Sequence, residues 1–347
     1  MATIDVAASR ARSPIHEGRT WKPAHYLALL GFVFLFWQGW TIVSWLADGP
    51  SQVTQFRDSS TASWVAARVY EGISIAMTLG VGTYVIRGCI RERRLTLDAK
   101  ICIAGALTWW LDSFTNVLEP IWFYSSNWVN VANWCGHMPF VVNPDCGALP
   151  QPIFILGMYL TGCLAFAMIM CAIMRRARAR WPDISTAKLI GLVFVLGILI
   201  DIAFEVPMFR LRLWAFPGSP DELAIMGGTA QKFPAIEILM AGIGFATFAV
   251  IRFFKDDAGR SFVERGLEGH STRVRSTISL LALVGVLNGV WLFATGTQAL
   301  VGFYADPYRK MAPHLVNEMC DAPGITGTAY GACPGSPGFR APIRDLP

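Results

Sequence analysis

Long apolar segments separated by short polar loops constrain this sequence more than any other feature. Seven such segments follow one another along the chain, and each is near the ~20 residues that an α-helix needs to cross a bilayer. Only 15% of the residues are charged, compared with about 25% in soluble domains. The sequence therefore predicts an all-α, polytopic integral membrane protein with about seven transmembrane helices.

The chain divides into three predicted regions. Residues 1–22 are a polar, basic tail that we expect to be disordered and cytoplasmic. Residues 23–303 form the seven-helix transmembrane domain, and residues 304–347 form an outer tail rich in Pro and Gly. The predicted spans are, in chain order, 24–47, 63–87, 98–124, 152–174, 186–208, 233–254 and 277–303.

Basic residues are distributed unevenly among the loops. Lys and Arg cluster before the first span and after the second, fourth and sixth spans. The positive-inside rule then predicts a cytoplasmic N-terminus and a C-terminus outside, in a multi-pass protein of the plasma membrane. The formal net charge of +5 is spread over these loops, so we expect the lipid bilayer as a partner and no nucleic acid.

The cysteines indicate disulfides on the outer side. Four of the eight cysteines fall in segments predicted to lie outside, namely Cys135, Cys146, Cys320 and Cys333, where disulfides can persist. Three pairings are possible, and we favour Cys135–Cys146 with Cys320–Cys333 because each closes a short loop. No C-x-x-C spacing occurs, so we expect no zinc site.

The predicted third span carries an unusual polar face. Asp112, Asn116 and Glu119 are spaced i, i+4 and i+7, which places them on one side of an α-helix. An ionised carboxylate in hydrocarbon costs several kcal/mol, so such groups face a protein interior or a water-filled cavity. Pro120 follows directly and loosens the helix at this level. This face is predicted to form one wall of a reaction or binding chamber.

Further polar residues are predicted to meet this face at a similar depth, contributed by three other helices: Arg68, Glu71, Asp201, Glu205 and Glu237. Neighbouring carboxylates in a low dielectric cannot all ionise, so one residue type can supply both an acid and a base. The alternative is structural: each acid hydrogen-bonds a neighbouring helix or pairs with an arginine. That alternative is strongest for Glu71 beside Arg68, and for Glu205.

Several motifs together resemble the AveC-type spirocyclase (spiroketal cyclase) family of actinobacterial integral membrane proteins. They include Trp109-Trp-Leu-Asp-Ser-Phe-Thr-Asn116, Arg175-Arg-Ala-Arg-Ala-Arg-Trp-Pro182 and Lys232-Phe-Pro-Ala-Ile-Glu237. The resemblance implies a polyketide-pathway enzyme that closes a dihydroxyketone into a spiroketal and can also dehydrate it. The chain departs from the family at Val117, where a tyrosine is expected, and at Ser125, where an asparagine is expected.

Spiroketal chemistry assigns expected roles to the buried acids. Asp112 or Glu119 would be the proton donor, and Asp201 or Glu237 the paired carboxylate. Asn116 would orient a substrate oxygen, and the other candidate contacts to an apolar, polyketide-like substrate are Arg68, Glu71, Glu205, Trp109 and Tyr124. The reaction requires no cofactor or metal.

Two other classes of function remain open. The chain could be a transporter or exporter of an apolar metabolite, or a non-catalytic membrane partner in a biosynthetic complex. A transport pathway needs polar groups at both depths of the membrane, whereas the polar residues here are predicted in one half. A non-catalytic partner would tolerate the loss of Asp112 and Glu119.

The predicted topology can be tested with reporter fusions at the two ends of the chain. The basic loops predict that a reporter active only in the cytoplasm works at the N-terminus and fails at the C-terminus. A reporter that works only outside should give the opposite result. Cytoplasmic signals from both ends would mean that the number of membrane crossings is even.

Overall fold

A computed structural model describes residues 21–50, 61–306 and 311–316. The described chain is mainly helical, with α-helices in the following order: α1 Pro23–Asp48, α2 Thr61–Glu92, α3 Leu97–Ala106, α4 Ile153–Arg180, α5 Thr186–Arg210, α6 Ala235–Phe253, α7 Thr272–Val301 and α8 Pro313–Val316. A π-helical turn, Met158–Gly162, interrupts α4. Thr96, Ser185 and Ser271 cap the N-termini of α3, α5 and α7 by accepting a backbone N–H. The predicted Cys320–Cys333 pair lies outside the described residues.

Six of the described helices are long and apolar enough to cross a membrane. They are α1, α2, α4, α5, α6 and α7, with α7 continuing as a 3₁₀ turn to Tyr304. These six helices correspond to six of the predicted spans. Large apolar side chains such as Phe36, Leu79 and Leu199 are more than half exposed on their outer surfaces, as expected for helices that face lipid.

The predicted third span is not one continuous helix, and this part of the prediction is wrong. Helix α3 ends at Ala106, and a 3₁₀ helix, Trp109–Asn116, follows it. Side-chain hydrogen bonds to α7 hold the junction: Asn288 donates to Thr108 Oγ1 over 3.3 Å and accepts from Trp110 Nε1 over 2.8 Å. Backbone hydrogen bonds continue through the junction, with Thr108 N–H donating to the carbonyl of Gly105 over 2.8 Å, and the contacts to α7 fix its position in the bundle.

The chain still passes between the two ends of the bundle along this segment. At one end, Asp98 and Lys100 of α3 pair with Arg252 and Glu264. At the other end, Arg68 near the start of α2 donates to the carbonyl of Asn127 in the following loop. The first end carries the basic loops and is called the basic end; the second is called the cap end. Helix α3 and the 3₁₀ helix together therefore lead from the basic end towards the cap end.

Loops and short strands close the cap end. Strand β1 (Phe123–Tyr124) pairs with β4 (Trp214–Ala215), β2 (Asn130–Ala132) with β3 (Pro150–Pro152), and β5 (Ala224–Ile225) with β6 (Phe233–Pro234), all antiparallel. A disulfide joins Cys135 to Cys146 between β2 and β3. Buried aromatic side chains fill the space beneath these strands, including Trp128, Phe209, Trp214 and Phe233. The cap is thus a packed layer with fixed positions for its side chains.

Glycines allow the closest helix contacts. A Cβ atom built on Gly31 of α1 would collide with the carbonyl oxygen of Leu281, and one built on Gly285 of α7 with the carbonyl oxygen of Leu27. The two helix backbones therefore touch at this crossing, as small residues permit in membrane helix pairs. This contact anchors α1 to the α7 face that also fixes the α3 junction.

Substituting Gly285 with alanine should therefore separate α1 from α7. The added methyl group has no space, so we expect the free energy of unfolding to fall by about 1–3 kcal/mol. Thermal unfolding of the detergent-solubilised protein measures this effect. Gly289→Ala, one turn along α7, is the matched control because its Cβ would lie 3.9 Å from Leu30 Cδ2. Equal losses in both variants would contradict the close-contact explanation.

Candidate functional site

A cavity of about 130 Å³ lies inside the bundle, beneath the cap. Four carboxyl side chains line it: Asp112 from the 3₁₀ helix, Asp201 and Glu205 from α5, and Glu237 from the first turn of α6. We call it the acid cavity. Its remaining wall is aromatic, aliphatic and neutral polar, and its aromatic side chains include Trp122, Tyr124, Tyr159, Trp214 and Trp291. No Lys, Arg or His from the described part of the chain lines it.

Three hydrogen-bond donors converge on Asp112. Its Oδ2 accepts from Tyr124 Oη at 2.8 Å and from Gln151 Nε2 at 2.9 Å, and its Oδ1 accepts from Tyr159 Oη at 3.1 Å. Tyr159 Oη in turn accepts a hydrogen bond from Trp291 Nε1. Hydrogen bonds of this kind favour the ionised form of a carboxyl group, so these contacts hold Asp112 in position and work against its protonation.

A second layer of hydrogen bonds holds Gln151 in place. Its Oε1 accepts from Ser113 Oγ at 3.0 Å and from Asn133 Nδ2 at 3.3 Å. Asn133 also accepts from the backbone N–H of Cys135 at 2.8 Å, and Cys135 belongs to the disulfide. Gln151 is fully buried. The disulfide-closed loop therefore sets the position of a side chain that contacts Asp112.

Burial opposes the effect that these hydrogen-bond donors have on the protonation of Asp112. Asp112 lies on the 3₁₀ helix inside the bundle, and removing a carboxyl group from water disfavours its ionised form. The hydrogen bonds from Gln151, Tyr124 and Tyr159 favour the ionised form and offset part of this cost. For Tyr124, burial and the nearby Asp112 carboxylate both raise the pKa of the phenol, so Tyr124 acts as a hydrogen-bond donor.

The other three carboxyl groups have a different environment. Asp201 and Glu205 are spaced i, i+4 on α5 and share a face, and α6 packs against α5 to bring Glu237 to the same cavity. One buried oxygen of each group, Oδ2 of Asp201 and Oε2 of Glu205 and of Glu237, has no hydrogen-bond partner among the described residues. The sequence predicted Arg68 among these acids, but Arg68 does not line the cavity.

Unpartnered buried polar atoms are concentrated in this cavity. Besides the three carboxyl oxygens, the indole N–H groups of Trp122 and Trp214 have no partner among the described residues, and both rings line the cavity. Buried polar groups are paired in most proteins, so each exception needs an explanation. Two free donors beside three free carboxyl oxygens are suited to a ligand that carries hydroxyl and carbonyl groups.

The structure separates the residues that the sequence analysis placed on one helical face. A 3₁₀ helix has three residues per turn, so Thr115 follows Asp112 into the cavity lining, whereas Asn116 does not. Asn116 instead accepts from the backbone N–H groups of Ile121 and Trp122, each at 2.8 Å, and holds the turn. Glu119 is buried in that turn and is also outside the lining.

Three further candidates lie away from the cavity. Arg68 and Glu71 form an ion pair at 3.1 Å, and Glu71 accepts from the backbone N–H of Val129 at 2.7 Å, so the pair ties α2 to the cap. Trp109 packs edge-on against Trp134, with ring centroids 4.8 Å apart. Of the candidates for substrate contact, the structure brings Tyr124 and Glu205 to the cavity.

Several lining or supporting residues were not predicted from the sequence. Tyr159 reaches the cavity from the π-helical turn of α4, an irregularity that is frequent at functional sites. Gln151 lies on β3 between two prolines, and Thr115 donates to Gln298 of α7 over 3.0 Å. A polar residue inside a predicted span was a usable signal for Tyr159 and Gln298. No signal pointed to Gln151, which depends on the folding of the cap.

The fold and the cavity define a class of protein: a helical protein with six helices long and apolar enough to cross a membrane, and with a carboxyl-lined, largely apolar interior cavity. The family model described as "Spirocyclase AveC-like" matches residues 92–317, about two thirds of the chain, and the chain belongs to this family. All four cavity carboxyl groups lie within the match. Membership supports an enzymatic, cyclase role in polyketide biosynthesis. Comparisons with curated proteins and with solved structures found no match.

Replacing Gln151 with methionine tests the support of Asp112. The substitution keeps the length of the side chain but leaves Ser113, Asn133 and Asp112 each short of a buried partner, so we expect the free energy of unfolding to fall by about 2 kcal/mol or more. Thermal unfolding in detergent measures the loss. Gln38→Met on α1 serves as the control, because Gln38 is half-buried and has no side-chain hydrogen bond among the described residues. An equally small effect of both changes would contradict the supporting role of Gln151.

Proposed function

We propose that the protein is a membrane-embedded cyclase that closes a ketone bearing two hydroxyl groups into a spiroketal within the acid cavity. The observation that carries this proposal is the set of five unpartnered polar atoms on the cavity lining. A dihydroxyketone offers both donors and acceptors to such atoms. Family membership supports the reaction class, and six apolar helices support a location in the membrane, which we propose is the plasma membrane.

The reaction needs one acidic and one basic group. Addition of the first hydroxyl to the ketone gives a hemiketal, whose hydroxyl must be protonated to leave as water. The resulting oxocarbenium ion is captured by the second hydroxyl, which then loses its proton. One water is released overall, and the proton that the donor supplies is returned through the accepting carboxylate, so a pair of carboxyl groups can turn over without a co-reactant.

The contacts of the four acids favour an assignment of these roles. Asp112 accepts three hydrogen bonds, which suits the carboxylate that stabilises the cation and accepts the final proton. Asp201, Glu205 and Glu237 share a cavity with no basic side chain among the described residues. Mutual repulsion favours a proton on at least one of them, and that group is the proposed donor. The sequence predicted Asp112 or Glu119 as the proton donor and Asp201 or Glu237 as the paired carboxylate. The proposed assignment gives Asp112 the role of the carboxylate and places the donor among the other acids.

Aromatic rings complete the proposed site. Trp122, Trp214 and Trp291 line the cavity, and the faces of tryptophan rings attract cations. Their rings would stabilise the oxocarbenium ion, while the indole N–H groups of Trp122 and Trp214 would bind substrate oxygens. A binding surface that is complementary to the cation, rather than to the neutral ketone, lowers the barrier.

The size of the cavity limits which part of the substrate it encloses. Sites for drug-sized ligands have volumes of about 300–1,000 Å³, whereas the acid cavity measures about 130 Å³. It fits the reacting ketone and its neighbouring atoms, and the remainder of a longer apolar substrate must lie between helices or in lipid. Holding the reacting segment in one conformation supplies rate and stereocontrol.

Conservative substitutions of the four acids test this proposal. Asp112→Asn, Asp201→Asn, Glu205→Gln and Glu237→Gln keep the side-chain shape but remove the titrating proton. Loss of Asp112, or of whichever of the other three acids donates the proton, should lower kcat by about 10²-fold or more, the usual scale for an acid–base group. The assay measures conversion of an open-chain dihydroxyketone by membranes that carry each variant, with one stereoisomer expected as product.

Glu222→Gln is the matched control because Glu222 is exposed in the cap and lies outside the cavity. The amount of folded protein in each membrane preparation must be equal before rates are compared. Wild-type turnover in all four variants would overturn the acid–base mechanism. No conversion by the wild-type protein would instead favour the transporter or the non-catalytic partner.

A further inference from the structure

A second, larger cleft lies at the basic end of the bundle. Its volume is about 790 Å³, within the ~300–1,000 Å³ range of ligand sites. Six basic and three acidic side chains line it. They come from the C-terminal end of α2, the α2–α3 loop, α3, the C-terminal turns of α4 and α6, the α6–α7 loop and the start of α7. Arg252 at this cleft and Glu237 at the acid cavity lie about 22 Å apart along α6, so the two sites are separate.

The acids of the cleft are already paired. Arg252 binds Asp98 through Nε and Nη2, at 2.9 and 3.1 Å. Glu92 accepts from Arg94, and Lys100 Nζ lies 2.9 Å from Glu264. These ion pairs neutralise the negative side chains, so the positive charge of the cleft comes from its other residues.

Three of the basic residues have no acidic partner in the described part of the chain: Arg175, Lys255 and Arg275. They come from three different segments, α4, the residues after α6, and the first turn of α7, yet they line one cleft. Arg and Lys side chains converging in this way bind phosphate groups. The cleft therefore fits a phosphate-bearing ligand.

An adjoining groove indicates what kind of phosphate ligand fits. A depression of about 420 Å³ shares Tyr84, Glu92, Thr96 and Asp98 with the cleft and runs along one face of α2 to Gly80. Gly80 and Gly88 lie on this face, and a Cβ on Gly80 would meet nothing within 4 Å. From Arg91 to Gly80 the groove extends about 16 Å along the helix axis. Its charged lining residues are Arg87, Arg91, Glu92 and Asp98, and beyond them it reaches Thr83 and Gly80 in the apolar part of α2.

We infer that this cleft and groove bind an anionic phospholipid. Its phosphate lies among Arg175, Lys255 and Arg275, and one acyl chain lies along α2 in the groove that ends at Gly80. A soluble phosphate would use only the cleft, whereas a lipid uses both parts, which is why the continuous groove favours a lipid. Basic pockets at the ends of transmembrane helices bind anionic headgroups in this way.

Native mass spectrometry of the full-length protein with added phosphatidylglycerol or phosphatidylcholine tests this inference. The wild-type protein should retain phosphatidylglycerol in preference to phosphatidylcholine. In the double variant Arg175→Gln/Arg275→Gln, the affinity for phosphatidylglycerol should fall by about tenfold or more, because each basic side chain near an anionic surface contributes to binding. Neither arginine has an ion pair to lose among the described residues, so the fold should be retained.

The double variant Arg176→Gln/Arg273→Gln is the matched control. These arginines are exposed neighbours of the two cleft residues, lie outside the cleft lining, and carry the same total charge. Their loss should change the affinity less than about twofold. An equal fall in both variants would overturn the site and leave only general attraction to the surface.

A third arm distinguishes a lipid from a soluble anion. Inorganic phosphate and glycerol phosphate are added at the ionic strength of the lipid experiment. If the inference holds, neither displaces phosphatidylglycerol. Displacement by either, or a wild-type protein that does not distinguish the two lipids, would overturn it.

A filling substitution, Gly80→Leu, should also weaken phosphatidylglycerol binding by blocking the groove, although it removes no charge. The binding assay needs no turnover, so its outcome is independent of the proposed cyclase reaction.

Discussion

A carboxyl group inside an apolar bundle must be supplied with hydrogen-bond donors or must carry a proton, and this constraint explains the arrangement of the acid cavity. Asp112 receives donors from β1, β3 and α4 through Tyr124, Gln151 and Tyr159. Asp201 and Glu237 each keep a buried oxygen with no partner in the described chain. Acids of one chemical type therefore have unlike surroundings, which is the condition under which one can donate a proton and another accept it.

The cap is the part of the fold that creates this difference. The disulfide closes the loop between β2 and β3, Asn133 connects that loop to Gln151, and Gln151 donates to Asp112. The 3₁₀ helix matters equally, because its tighter winding brings Asp112 and Thr115 to the cavity and leaves Asn116 to hold the turn. In the proposed reaction, the loops thus position the base, while α5 and α6 present the candidate donors.

The two ends of the bundle carry side chains of opposite type, acidic beneath the cap and basic at the other end. The acid cavity lies beneath the cap, and the cleft with Arg175, Lys255 and Arg275 lies at the opposite, basic end. For a protein in a membrane, the basic end would meet anionic headgroups, and the apolar helix surfaces would meet the lipid in which an apolar substrate also dissolves. The inferred lipid would fix the depth of α2 and α4 without entering the reaction, since about 22 Å of α6 separates the two sites.

The sequence by itself determined the helical class, six of the long helices and the four carboxyl groups of the cavity, because long apolar segments and isolated acids within them carry that information locally. It also placed Asp201 and Glu205 on one face, since i, i+4 spacing survives in a regular helix. It could not determine that residues 98–124 break into α3 and a 3₁₀ helix, because Asn288 holds that junction from 180 residues away. The tertiary structure alone decided that Gln151 contacts Asp112 and that Asn116 holds the turn at Ile121 instead of reaching the cavity.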